Sequence, residues 1–159
     1  MKALTLHQPY AWMAVTGLKP IENRRWQPWD REVIEDPPLN ARLSQLERRV
    51  PWRGEFLIHA SQHRPTKNEL LTIYSWAQGF LDPPLSPEWP SETELVYGAL
   101  LGSVVLSDIL PKASTNPDEL EDWRLPGQLG WVLTEPHAAS YPFPYPGKRG
   151  LWECHWELI

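Results

Sequence analysis

Alternation of hydrophobic and polar positions predicts six β-strands in this chain. The clearest is G-E-F-L-I-H-A-S, in which Phe56, Ile58 and Ala60 share one face and His59 and Ser61 share the other. In a longer strand, Gly98 and Gly102 mark points where the chain is expected to bend or bulge. The predicted strands span 2–6, 21–26, 54–61, 97–110, 128–135 and 150–158.

Helical patterns lie between these strands. The first predicted helix starts at Pro9 and ends at Gly17, residue types suited to those two positions. T-K-N-E, which starts at Thr66, is a capping box, and the apolar run after it predicts a helix that stops near Gly79. Asn116 followed by a proline predicts the cap of a third, short helix.

The segment 27–53 has no clear period, and we interpret it as a loop with one short helix, inserted between two strands. Asn40 is a candidate cap for that helix. We expect two further loops, a proline-rich one at 82–92 and an aromatic one at 141–150. The helical spacing in the insert is carried by Leu39, Leu43, Leu46 and Val50.

Helices placed irregularly among six strands do not give the regular rhythm of a parallel α/β sheet. The pattern favours an α+β fold, a small mixed or antiparallel β-barrel flanked by helices. A length of 159 residues fits one domain over 1–159.

The net charge of −5 argues against a protein that coats nucleic acid by bulk charge, since such binding needs many phosphate contacts. Basic residues nevertheless cluster in K-P-I-E-N-R-R, E-R-R-V-P-W-R and G-K-R-G, which suits a local basic site. Cys154 is the only cysteine, which excludes an internal disulfide and favours a reducing, cytoplasmic compartment. No apolar run has the length of a signal peptide or a membrane span.

G-L-K-P-I-E-N-R-R-W places Lys19, Glu22 and Arg24 close together, and strand alternation puts Glu22, Arg24 and Trp26 on one face. A lysine in such a cluster, if desolvated, has a lowered pKa and can act as a base or a nucleophile. Lys19 and Arg24 can equally hold a phosphate or carbonyl oxygen, with Glu22 orienting them. The residue types alone also fit a structural ion pair.

Other candidates lie elsewhere in the chain. His59 and Ser61 either line a pocket, with His59 moving protons, or serve the packing of the barrel. Lys148 and Arg149, beside the aromatic loop, suit phosphate or base contacts, or form an ordinary solvated turn. His59 and His63 lack a third ligand at suitable spacing, so we predict no metal site.

The stretch from Gly17 to Arg24 resembles the G-x-K-x-x-E-x-R signature of the ASCH domain, a branch of the PUA-like superfamily, and fills all four fixed positions. The segments L-T-L-H-Q-P-Y-A-W, G-E-F-L-I-H-A-S, G-A-L-L-G-S-V-V-L and P-Y-P-G-K-R-G-L-W-E resemble other parts of the family in the same order. The resemblance implies a PUA-like barrel whose cleft is lined by the signature residues.

The resemblance also implies a domain that binds RNA or a nucleoside or nucleotide, without a cofactor. Lys19 and Arg24 would contact phosphate or carbonyl oxygens, and Glu22 would orient them or accept from a base amino group. Tyr10, Trp12 or Trp26 would stack on a base.

Some members of this family resemble hydrolases that act on acetylated cytidine or on RNA. In that alternative Lys19 is the base or nucleophile, and Glu22, Ser61 or His59 moves protons. The amidohydrolase-like members carry threonine where this chain has Glu22. A third alternative is a non-catalytic module that binds protein through its proline- and tryptophan-rich loops. The oligomeric state is left open.

Overall fold

A computed structural model describes residues 1–82 and 87–155 as a mixed α+β fold built on a curled six-stranded sheet with two helices. Neither helix in these ranges has the length and apolarity needed to cross a membrane. The two helices are α1 (Tyr10–Val15) and α2 (Lys67–Gln78). The strands are β1 (Lys2–Leu6), β2 (Ile21–Arg24), β3 (Trp29–Val33), β4 (Glu47–Pro51), β5 (Gly54–Ala60), β6 (Ala99–Leu110), β7 (Leu129–Pro144) and β8 (Leu151–Glu153).

The strand order in the main sheet is β2-β7-β6-β5-β1-β8. Only β1 and β5 are parallel, while the other neighbours are antiparallel. Gly102 lies at a register shift between β6 and β7, with φ of +152°. A Cβ there would overlap the carbonyl oxygen of His137, so the close approach of the two strands requires glycine. The predicted bulge point at Gly102 is therefore confirmed.

The main core lies between the sheet and α1. Ala11, Ala14 and Val15 of α1 pack on strand residues that include Phe56 and Trp131, both fully buried. A second cluster joins α1 to α2 through Met13, Ala77 and Trp123. Burial of these apolar side chains supplies the main driving force for folding, and it holds α1 on the sheet and α2 on α1.

Two predicted helix caps are confirmed. The Thr66 hydroxyl accepts a hydrogen bond from the backbone N–H of Glu69 at 3.2 Å and donates to the Glu69 carboxylate at 3.3 Å. Asn116 Oδ1 accepts from the N–H of Asp118 at 3.1 Å, although only one 3₁₀ turn follows at Pro117–Glu119.

The expectation of a loop with a short helix at 27–53 is confirmed only in part. Strands β3 and β4 form a two-stranded hairpin there, and the only helical piece is a 3₁₀ turn at Leu43–Gln45. Leu39 and Leu43 are fully or almost fully exposed, so two of the four apolar positions that would stabilise a helix have nothing to pack against. The hairpin is held instead by cross-strand pairs such as Arg48 with Glu32 at 3.0 Å.

Three other boundaries also differ from expectation. The strand predicted at 21–26 ends at Arg24, and β7 extends into the predicted aromatic loop, to Pro144. β2 pairs only with residues 129–132 of β7. The prolines later in β7, which have no backbone N–H to donate, therefore face no described strand on that side. The predicted strand 150–158 forms at Leu151–Glu153, while its part from 156 lies outside the described residues, as do 83–86 of the predicted proline-rich loop.

Candidate functional site

The signature residues are placed by the end of α1 and the start of β2. Gly17 adopts φ of +79°, and a Cβ there would lie 2.9 Å from Cγ of Pro136, so glycine alone fits. The backbone N–H of Lys19 then donates to the carbonyl oxygen of Met13 at 3.1 Å. This turn directs the chain into β2, where Glu22 pairs with Trp131 of β7.

Glu22 joins the two cations of the signature. Its Oε2 atom lies 3.6 Å from Lys19 Nζ, and its Oε1 atom lies 3.2 Å from Arg24 Nε. The Arg24 contact is an ion pair without normal hydrogen-bond geometry, since the buried Nε atom has no hydrogen-bond partner. Lys19 Nζ also donates to the carbonyl oxygen of Ile21 and lies 5.6 Å from the ring centroid of Tyr10.

The pKa of Lys19 is lowered from 10.5, chiefly because its ammonium group is buried. Glu22 opposes this shift, and Arg24 adds to it. The pKa of Tyr10 is raised, first by burial and then by the charge of Glu22. The arrangement thus contains a buried lysine whose charge depends on one neighbouring carboxylate.

A groove of about 770 Å³ runs beside this cluster. It brings together seven of the sequence-predicted site residues, from α1, β2, β5 and the loop before β8. Its wall contains three cationic side chains and one carboxylate, in a chain whose net charge is −5. The predicted residues in the wall are Tyr10, Glu22, Arg24, His59, Ser61, Lys148 and Arg149.

Lys19 opens instead onto a smaller neighbouring pocket of about 370 Å³. The two cavities share one wall, made of Tyr10, Glu22 and Asn23. The remaining lining of the smaller pocket is mostly apolar and comes from α2 and the loop before β7. These lining residues are Thr72, Ile73, Trp76 and Leu125, none of which stood out in the sequence.

His59 is 2% exposed and both of its ring nitrogens are occupied. Nε2 donates to the carbonyl oxygen of Tyr145 at 2.6 Å, and Nδ1 accepts from the Thr5 hydroxyl at 3.3 Å. Thr5 Oγ1 in turn accepts from the indole N–H of Trp152 at 3.0 Å. Burial also lowers the pKa of His59, so the neutral ring joins β1, β5 and the loop before β8.

Ser61 pairs with His7, a residue that sequence reasoning missed. The Ser61 Oγ and His7 Nδ1 atoms are 2.6 Å apart at the rim of the groove. The two residues meet because β1 and β5 are parallel, and the carboxyl ends of parallel strands lie at one edge of a sheet. Nothing in the local sequence reveals that alignment.

Neither candidate tryptophan lines the groove. Trp12 packs edge-on against Trp89, with ring centroids 6.0 Å apart. Trp26 packs edge-on against Trp131 at 5.1 Å and remains 40% exposed. Trp26 comes nearest to the groove at Gly150, where an added Cβ would lie 3.7 Å from its ring. Among the candidate stacking residues, Tyr10 alone borders both cavities.

Within residues 1–82 and 87–155, no group of three histidine, cysteine or acidic side chains is arranged to hold a metal ion. The hairpin formed by β3 and β4 contributes no residue to either cavity in the described part of the chain.

No model of a known protein family matches the chain, and no curated protein matches its sequence. The geometry of the site and the signature residues therefore carry the functional proposal.

Proposed function

We propose that this chain is an ASCH-type, PUA-like domain that binds RNA, a nucleotide or a nucleoside in the two adjoining cavities. The observation that carries the proposal is the convergence of Arg24, Lys148 and Arg149 with Tyr10 and Glu22 around one groove. The cations suit a phosphate, the aromatic ring suits the face of a base, and the carboxylate suits the edge of a base.

Each group has a distinct role in this proposal. Glu22 accepts a hydrogen bond from an amino or imino group of the base, while Lys19 and Arg24 keep its carboxylate in place. The terminal nitrogens of Arg24 make no hydrogen bond with any described residue, so they can donate to a phosphate. Tyr10 offers its ring for stacking.

Two neighbouring arginines provide a matched test of this assignment. Arg25 is exposed and makes no contact with the groove, whereas Arg24 lines it. We expect nucleosides, nucleotides or short RNA to raise the melting temperature at low salt, and Arg24→Gln to weaken that effect while Arg25→Gln does not. If all these compounds leave the melting temperature unchanged, the proposed function is wrong.

Hydrolysis is a second candidate, favoured by the lowered pKa of Lys19 beside a pocket of about 370 Å³. A neutral amine in that position can take a proton from an attacking water or hydroxyl group. Turnover of acylated cytidines and RNA by the wild type and Lys19→Ala distinguishes the two candidates. Turnover that survives the substitution unchanged excludes Lys19 from the chemistry.

A further inference from the structure

The two cavities beside Glu22 differ in charge and polarity. The smaller pocket is lined by one cation and one carboxylate, Lys19 and Glu22, and otherwise mainly by apolar or aromatic groups such as Trp76. The larger groove has a formal charge of +2 from Arg24, Lys148, Arg149 and Glu22. A ligand that fills both must be flat and uncharged at one end and anionic at the other.

The geometry points to a phosphorylated nucleoside as that ligand. This inference rests on the proposed function and narrows its ligand class. The base lies in the pocket between Tyr10 and Trp76, and the phosphate lies in the groove beside Arg24, Lys148 and Arg149. The shared wall, which contains Tyr10 and Glu22, then lies between the site of the base and the site of the phosphate.

The smaller pocket has the chemistry of a base site. Its volume of about 370 Å³ lies near the lower end for small-molecule pockets. Asn23 is held in place by two hydrogen bonds, since its Nδ2 donates to Trp123 O at 2.8 Å and its Oδ1 accepts from Leu125 N–H at 2.9 Å. Glu22 is the carboxylate of this lining, and it is the strongest acceptor for a base amino group there.

The groove has the chemistry of an anion site. Lys148 and Arg149 are exposed and form no ion pair with any residue in 1–82 or 87–155. The lowered pKa values of His7 and His59 keep both rings neutral near pH 7, so neither adds to the cationic charge. Among the described residues of the wall, Glu22 is the one acid, and it is already paired with Lys19 and Arg24. An incoming phosphate thus meets three cations and no free carboxylate.

Calorimetry with nucleosides and their 5′-monophosphates measures what the phosphate adds to affinity. Inorganic phosphate alone and a 5′-phosphorylated RNA tetramer complete the set of probes. We expect each monophosphate that binds to do so about tenfold more tightly than its nucleoside, as modest charge-assisted hydrogen bonds would give. We also expect inorganic phosphate to compete weakly with the monophosphate.

The double variant Lys148→Ala/Arg149→Ala lowers this ratio towards one and flattens the salt dependence of monophosphate binding. Lys67→Ala/Lys112→Ala is the matched control, because it removes the same charge from two exposed positions outside the groove. The control is expected to keep the wild-type ratio.

The outcomes separate this inference from the proposed function. Nucleosides that bind without any gain from the phosphate, or a gain that survives in the Lys148/Arg149 variant, overturn the inference alone. A chain that binds none of the probes overturns both. Binding of the RNA tetramer without binding of free monophosphates keeps the phosphate site and assigns its source to an RNA end.

Discussion

Lys19 Nζ lies 3.6 Å from Glu22 Oε2, and the lysine side chain is only 5% exposed. A buried ammonium group is costly unless a carboxylate and further hydrogen bonds compensate it. Here the carboxylate of Glu22 pairs with both Lys19 and Arg24. The stability of the site and its ability to bind a ligand therefore depend on the same carboxylate.

Glu22→Gln is expected to lower the free energy of unfolding by roughly 3 kcal/mol, the lower end of the cost of breaking a buried ion pair. The low end applies because Glu22 is 12% exposed and the buried Lys19 keeps its bond to Ile21 O. Urea denaturation measures the change. Glu55→Gln, at an exposed strand position without an ion pair to a described residue, is the control. Equal, small losses in both variants would show that Glu22 does not hold the site together.

The buried charge of Lys19 should make stability rise with pH. Below the folded-state pKa both states hold the proton, and the full cost of burying it is present. Between that pKa and 10.5 only the unfolded state binds the proton, so the free energy of unfolding increases.

Lys19→Met removes this contribution while keeping a long side chain. The difference in unfolding free energy between wild type and Lys19→Met should therefore shift in favour of the wild type as the pH rises towards 10.5. Denaturation curves at several pH values provide the measurement. A difference that stays constant over the range would mean that Lys19 titrates normally in the folded protein.

His7 should titrate below 6.5, because its pKa is lowered by burial and then by His63 and Arg24, with Glu69 acting in the opposite direction. NMR titration should show a higher His7 pKa in His63→Gln and a lower one in Glu69→Gln. His137→Gln, far along β7, should leave it unchanged. Shifts of the same sign in the first two variants would contradict this electrostatic account.

Gly147→Ala should destabilise the fold by about 1–3 kcal/mol, the usual cost of overpacking. The new Cβ would lie 2.5 Å from His59 Nδ1 and 3.1 Å from Thr5 Oγ1, which forces the loop away from β5. The same displacement of the loop should weaken phosphate binding through Lys148. Gly79→Ala is the control, since its nearest neighbour would be 3.4 Å away. A normal melting temperature for Gly147→Ala would show that the loop does not pack tightly against His59 and Thr5.

Local patterns predicted the elements that carry their own signals. The strand at 54–61 and the capped helix from Thr66 were readable because alternation and capping depend on nearby residues. The closeness of Lys19, Glu22 and Arg24 followed from their spacing in one short stretch. In these cases the sequence and the fold favour the same local structure.

Features that depend on residues distant in the chain could not be predicted from the sequence. Leu39 and Leu43 have helical spacing, yet both remain exposed, and a hairpin forms instead. His7 meets Ser61 only because β1 and β5 run parallel, and Trp76 lines the same pocket as Lys19 only because α2 packs on α1. Each of these contacts is decided by tertiary packing.

The ring of His59 has a further consequence for recognition. By fastening Tyr145 to β5, it fixes the start of the loop that carries Lys148 and Arg149 before any ligand arrives. Ordering a loop at the moment of binding costs conformational entropy, and a loop already fastened at its base avoids part of that cost. A buried histidine with no free nitrogen can thus increase affinity for a ligand that it never touches.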